Sequence, residues 1–141
     1  MRKSFCTLLT IGCLAFTGSA LAASNDYREP VSSSVSVSFA NSSTTFQPGP
    51  TNAVLLEAAR DASLVTINGR TSTTRPSKRD EKLALARAVS ARDYLVAHGV
   101  SPLKIMINYV SAADFVADNR TPEGRYLNQR VDIQMIYVPM Y

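Results

Sequence analysis

The segment from Ser77 to Gly99 limits the fold of this chain more than any other. Ser77 with Asp80 three residues on reads as a helix start. Gly99 reads as its stop, and His98 sits in the last turn, where the helix dipole favours a cation. Between these ends Leu83, Arg87, Ala91 and Leu95 recur every four residues, so they share the stripe that faces a sheet. A guanidinium on that stripe cannot lie bare in a core. It requires a carboxylate, carbonyls, water or a ligand at the margin. By spacing alone, a structural ion pair with Asp80 or Asp132 is the commoner outcome.

The flanking segments alternate between strand and helix patterns. Val35, Val37 and Phe39 interleave with Ser36, Ser38 and Ala40, which predicts a half-buried strand. A Ser/Thr-rich loop from Asn41 to Thr45 leads to the breaker Pro48-Gly49-Pro50. Thr51 can then cap a helix over about Asn52 to Ala62, with Val54, Leu55 and Ala58 on one side. Leu64 to Ile67 predicts a second strand that ends at Asn68-Gly69, and a polar, basic loop follows as far as Arg79. Ile105, Ile107 and Tyr109 alternate as a third strand. Thr121-Pro122-Glu123 combines a capping residue, a first-turn proline and an acid, and so opens a short helix. Val131, Ile133, Met135 and Tyr137 form the last strand. The fold expected is an α/β (α+β) sandwich in the order β-α-β-α-β-(α)-β, with helices on one face of a mixed four-stranded sheet.

The N-terminal residues read as an export leader rather than as part of that fold. Arg2 and Lys3 precede an uncharged apolar stretch from Phe5 to Thr17, and Ala20-Leu21-Ala22 is a small-x-small cleavage site. The stretch is shorter than the roughly 20 residues that span a bilayer. The domain organisation expected is a signal peptide over 1–22, a flexible polar segment over 23–34 and one domain over 35–141. Cleavage removes both cysteines, Cys6 and Cys13, so the mature chain has no disulfide and no thiolate metal site. Cys13 is a poor match to a lipoprotein box, since Thr10 stands where such boxes take leucine. Cleavage also removes Arg2 and Lys3, leaving 13 of the 15 Lys+Arg against 11 Asp+Glu. That near balance gives no argument for nucleic-acid binding. No transmembrane segment remains in the mature chain. One histidine and no cysteine suggest no metal, no cofactor and no nucleophile arrangement of a hydrolase, so the expectation is a non-enzymatic binding domain of the periplasm or cell envelope.

Several stretches together resemble one known family. They are Lys82 to Ala88, Tyr94-Leu95 followed by Gly99-Val100, Val116 to Asn119, and Thr121-x-Glu-Gly-Arg-x-x-Asn-x-Arg130-Val131. This set resembles the OmpA-like C-terminal domain, most strongly over Asp80 to Ile133. The resemblance implies noncovalent binding of peptidoglycan, with the free end of diaminopimelate in the stem peptide held between an arginine and an aspartate. The carboxylate-binding arginine of the family falls on Arg87, a role that suits a guanidinium fork. Asn128 and Arg130 match the family's Asn-x-Arg, with Gln129 in place of the usual first arginine. Asn41, in the loop after the first strand, also borders the pocket.

The chain departs from the family pattern where the ligand ammonium is expected. The family's Gly-His-Thr-Asp aligns with Gly69-Arg70-Thr71-Ser72, so a hydroxyl replaces the acid. Arg70 adds positive charge there, which favours a carboxylate over an amine. Asp80, in place of the family's asparagine, restores a negative charge if it faces the pocket. The candidate ligand-binding residues are therefore Arg87, Asn128, Arg130, Asp80, Ser72, Thr71 and Asn41. The cluster Arg70, Arg75, Lys78, Arg79 and Lys82 reads first as a solvated basic surface, and second as a contact for an acidic polymer or partner. The expected partner is peptidoglycan, together with outer-membrane or secretion-system proteins. The chain is also similar to short OmpA-like accessory proteins of type IV secretion or conjugation systems. The alternative is an assembly subunit of such an apparatus that keeps the fold but binds a protein.

Overall fold

The computed structural model describes residues 29–140. The leader, its cleavage site, Cys13 and the first part of the polar segment lie outside the described residues. Four strands, β1 (Val31–Ser38), β2 (Leu64–Arg70), β3 (Ile105–Val110) and β4 (Arg130–Tyr137), form one sheet in the order β1-β4-β2-β3. β4 is antiparallel to both of its neighbours, and β2 and β3 are parallel. A parallel pair needs a long crossover, and α2 (Lys78–Ala97) supplies it. Helices α1 (Pro50–Glu57) and α3 (Pro122–Asn128) complete the chain order. The sheet is mixed and the helices share one face, the architecture expected from the alternation of patterns.

The core lies between α2 and the inward residues of the sheet. Val35, Val37 and Phe39 from the β1 side, Val65 and Ile67 from β2, and Val131, Ile133 and Met135 from β4 are all buried, and the strand period of two makes them neighbours. From α2 the buried residues are Ala84, Arg87, Ala88, Ala91 and Leu95. The alanines let the helix axis come close to β2. Gly69 is part of the same fit, since a Cβ there would collide with the carbonyl oxygen of Ala84. The helix is therefore pressed onto the end of β2, and Arg87, one turn after Ala84, arrives over the strand ends.

Two of the three helix caps read from the sequence are made by their hydroxyls. Ser77 accepts from the Asp80 N–H at 3.1 Å, and Thr121 accepts from the Gly124 N–H at 2.9 Å. After α2, Gly99 takes φ of 92°, and the Val100 N–H returns to the Leu95 carbonyl at 3.0 Å.

Three local expectations fail. β1 begins at Val31, so residues 31–34 are not a flexible lead-in but pair with 134–137 of β4. A run of serines hides this from pattern reading, because the outer half of an edge strand carries no apolar alternation. α1 starts at Pro50 after Gly49, without a side-chain cap from Thr51, and buries Leu56 rather than Val54 and Leu55. Val54 and Leu55 are exposed, and Ala59 and Ala62 in the following turn complete the buried side. β2 runs on to Arg70, which places Arg70 in the sheet and not in the loop.

Candidate functional site

The C-terminal ends of β1 and β2, the first turns of α2 and the α3–β4 junction meet around Arg87. Its side chain is wholly buried. Nε donates to the Ser43 carbonyl at 2.9 Å, and Nη1 to the Arg70 carbonyl at 3.2 Å. Nη2 donates to the Ala40 carbonyl at 3.4 Å and to Gln129 Oε1 at 3.3 Å. The Phe39 ring lies 5.2 Å from Cζ, within cation–π range. Every guanidinium nitrogen thus has an oxygen partner, and all of those oxygens are neutral. The expected ion pair with Asp80 or Asp132 is not made. Asp132 instead accepts from Arg130 Nε at 2.9 Å and from the Ser36 hydroxyl at 2.6 Å.

A buried cation held directly by neutral oxygens has an electrostatic signature. Burial lowers the Arg87 pKa to about 10, and the Asp80 carboxylate partly opposes that shift. Asp80 is near enough to be felt but is engaged locally, where its carboxylate accepts from the Ser77 hydroxyl.

Arg87 borders an open cleft of about 480 Å³. Of the residues expected at the site, Asn41, Thr71, Ser72, Asp80 and Arg87 line it together. Asn128 and Arg130 do not. Asn128 is fully buried, and its amide pins the 116–119 loop. Oδ1 accepts from the N–H groups of Val116 at 2.7 Å and Ala117 at 3.2 Å. Nδ2 donates to the Ala117 carbonyl at 2.8 Å and to Asn119 Oδ1 at 2.7 Å. Arg130 points to the other side of the junction, where Nη2 reaches the Asp114 carbonyl at 2.9 Å. Adjacent strand residues face opposite sides of a sheet, which separates Arg130 from the helix-covered cleft. Arg70 is likewise buried, held by Asp114 at 2.7 Å, so it is neither exposed basic surface nor a cation of the cleft.

The structure adds cleft residues that were not singled out as ligands: Ser42, Thr73, Arg79, Lys82, Leu83 and Gln129. The signal for two of them was present, because Arg79 and Leu83 precede Arg87 by eight and four residues on one helical stripe. Gln129 stood in the motif between Asn128 and Arg130, but its contact with Arg87 from a different element is visible only in three dimensions. A second, shallower cleft shares Ser72, Thr73 and Asp80 with the first and extends past Arg75 to Asn119 and Arg125. Among the described residues, no group of three or more His, Cys, Asp or Glu side chains is placed to hold a metal, and no helix is long and apolar enough to cross a membrane.

Residues 38–129 match the OmpA family, and this span contains the whole lining of the cleft. Peptidoglycan-binding protein ArfA of Mycobacterium tuberculosis is 42% identical over 78 residues, which are 55% of this chain and 24% of ArfA. A Brucella suis protein described as a candidate outer membrane lipoprotein of the type IV secretion system is 32% identical over 72 residues, 51% of this chain and 42% of that protein. The chain thus spans less than half the length of these relatives. Among solved structures, the cell wall anchor of the type VI secretion system from Pseudomonas aeruginosa superposes with a TM-score of 0.60 at 28% identity, over 75% of this chain and 82% of that one. The peptidoglycan-associated lipoprotein of Burkholderia pseudomallei shares the fold, with a TM-score of 0.61 at 22% identity over 72% of this chain and 88% of that one. With a family match over well beyond half its length, the chain belongs to the OmpA family.

Proposed function

We propose that this domain binds peptidoglycan noncovalently and tethers an envelope complex to the cell wall, taking the diaminopimelate carboxylate of a stem peptide into the Arg87 cleft. One observation carries this reading: a completely buried arginine whose direct partners are all neutral oxygens, at the margin of an open cleft. The acids Asp132 and Asp114, on neighbouring elements, pair with Arg130 and Arg70 rather than with Arg87. Here the guanidinium keeps an unneutralised positive charge, and a ligand carboxylate supplies what the fold withholds. The names of the mycobacterial relative and of the type VI secretion anchor support attachment to peptidoglycan and the cell wall, the coarser part of this reading. The Brucella relative supports a place beside a secretion apparatus.

The alternative is a subunit that keeps the fold but binds only protein, and Asp80 is the acid of the cleft that bears on it. It lies in the cleft lining, where a polar ligand would meet it. The domain acts by holding its ligand rather than by transforming it.

Co-sedimentation with purified sacculi tests the proposal. Wild-type protein is expected in the pellet, and Arg87→Ala protein, verified as folded by circular dichroism, in the supernatant. Equal retention of the two sinks the arginine mechanism. Failure of both to pellet sinks wall binding and leaves the assembly subunit.

A further inference from the structure

The charge balance of the two joined clefts bears on which form of the stem peptide they accept. This inference rests on the peptidoglycan reading above. The charged residues around the clefts are Arg75, Arg79, Lys82, Arg87 and Arg125 against Asp80 alone. Asp80 is already engaged by the Ser77 hydroxyl. Ser72 and Thr73, which lie in both linings, offer hydroxyls without charge. Such a surface attracts a carboxylate and repels an ammonium. The free distal end of diaminopimelate carries both groups and is neutral as a whole. In a cross-linked stem the distal amine is acylated to an uncharged amide, the carboxylate persists, and that end becomes an anion.

We infer that this cleft prefers the acylated, cross-linked form of the stem peptide to the form with a free distal amine. Acylation removes a positive charge that would otherwise approach several cations. The amide N–H and C=O it introduces can be met by the Ser72 and Thr73 hydroxyls and by Asn119, whose buried Nδ2 has no hydrogen-bond partner in the fold. The cleft is also open enough for a substituent on the amine to leave through the second, shallower cleft that adjoins it.

The test is calorimetric titration of the full mature protein with two soluble stem tripeptides, one with a free distal amine and one acetylated there. The acetylated peptide is expected to bind about threefold tighter or more, in line with removing one like charge at partly screened range. The preference should shrink at high salt. A free-amine peptide that binds as tightly or more tightly overturns the inference, as does failure of both peptides to bind. Should sacculi still be retained through Arg87 in that case, wall binding stands and only the preference falls. Ser72→Asp places an acid between the cations and should shift the preference toward the free amine. An unchanged ratio in that variant overturns the assignment of the amine to the Ser72 side.

Discussion

Replacing Arg87 by methionine separates a structural brace from an anion-seeking charge, because the two contributions of the guanidinium oppose each other. The substitution removes hydrogen bonds to the carbonyls of Ala40, Ser43 and Arg70 and to Gln129 Oε1. Three of the four are 3.2 Å or longer, weak for a charged donor, so at about 1 kcal/mol net each their loss costs about 4 kcal/mol. The stacking on Phe39 adds about 0.5–1 kcal/mol. Against this, the lowering of the Arg87 pKa to about 10 means that the fold holds the charged form at a penalty of roughly 3 kcal/mol, which methionine abolishes. Water entering from the open cleft can also reach some of the freed carbonyls. The expected net loss is about 1–2 kcal/mol. Urea unfolding followed by far-ultraviolet circular dichroism measures it, a suitable signal for a chain without tryptophan. A loss above about 4 kcal/mol, or a variant that does not fold, refutes the reasoning. It would mean that the protein itself compensates the charge fully and has none left to attract an anion. Arg87→Lys is the companion measurement, since it keeps the charge and loses the fork that ties three segments together.

Three further outcomes are expected. A folded-state pKa lowered to about 10 means that above that pH the unfolded chain holds the Arg87 proton more tightly, so this group adds stability as pH rises beyond about 10; wild type should gain on Arg87→Met above about pH 10 in parallel urea titrations. Asn128→Ala leaves the N–H groups of Val116 and Ala117 and the carbonyl of Ala117 without their partner, which should cost about 2–4 kcal/mol and sharply speed amide exchange at Val116 and Ala117; unchanged exchange there would show that the loop does not depend on this side chain. Gly69→Ala drives a methyl into the Ala84 carbonyl and should cost about 3 kcal/mol or more in thermal unfolding, because the backbone of α2 must shift; a near-neutral effect would mean that α2 is not pressed onto β2.

Much of the fold was legible because local chemistry and periodicity agree with it. The Ser77 and Thr121 caps, the Gly99 stop and the alternation in β4 each report a structure decided within a few residues. The misreadings fall where local signals are silent. The serines of 32–34 gave no hint of an edge strand whose order comes from β4, and the apolar residues of α1 did not reveal which side would meet the sheet. Of the site, Arg87, Asp80, Ser72, Thr71 and Asn41 come together, while Asn128 and Arg130 serve the 114–119 region instead. A motif states which residues recur and not which of them face a ligand.

The amino-acid sequence alone determined the succession of strands and helices, the family and the presence of a cation on the inward stripe of α2, since each of these depends on residue type and spacing. Only the tertiary structure decided what that cation means. Counter-charges are assigned by distance across elements far apart in the chain: Asp132 goes to Arg130, Asp114 to Arg70, and Arg87 is left with neutral oxygens beside an open cleft. Coulomb energies depend on those separations and on burial, and neither is written in residue order.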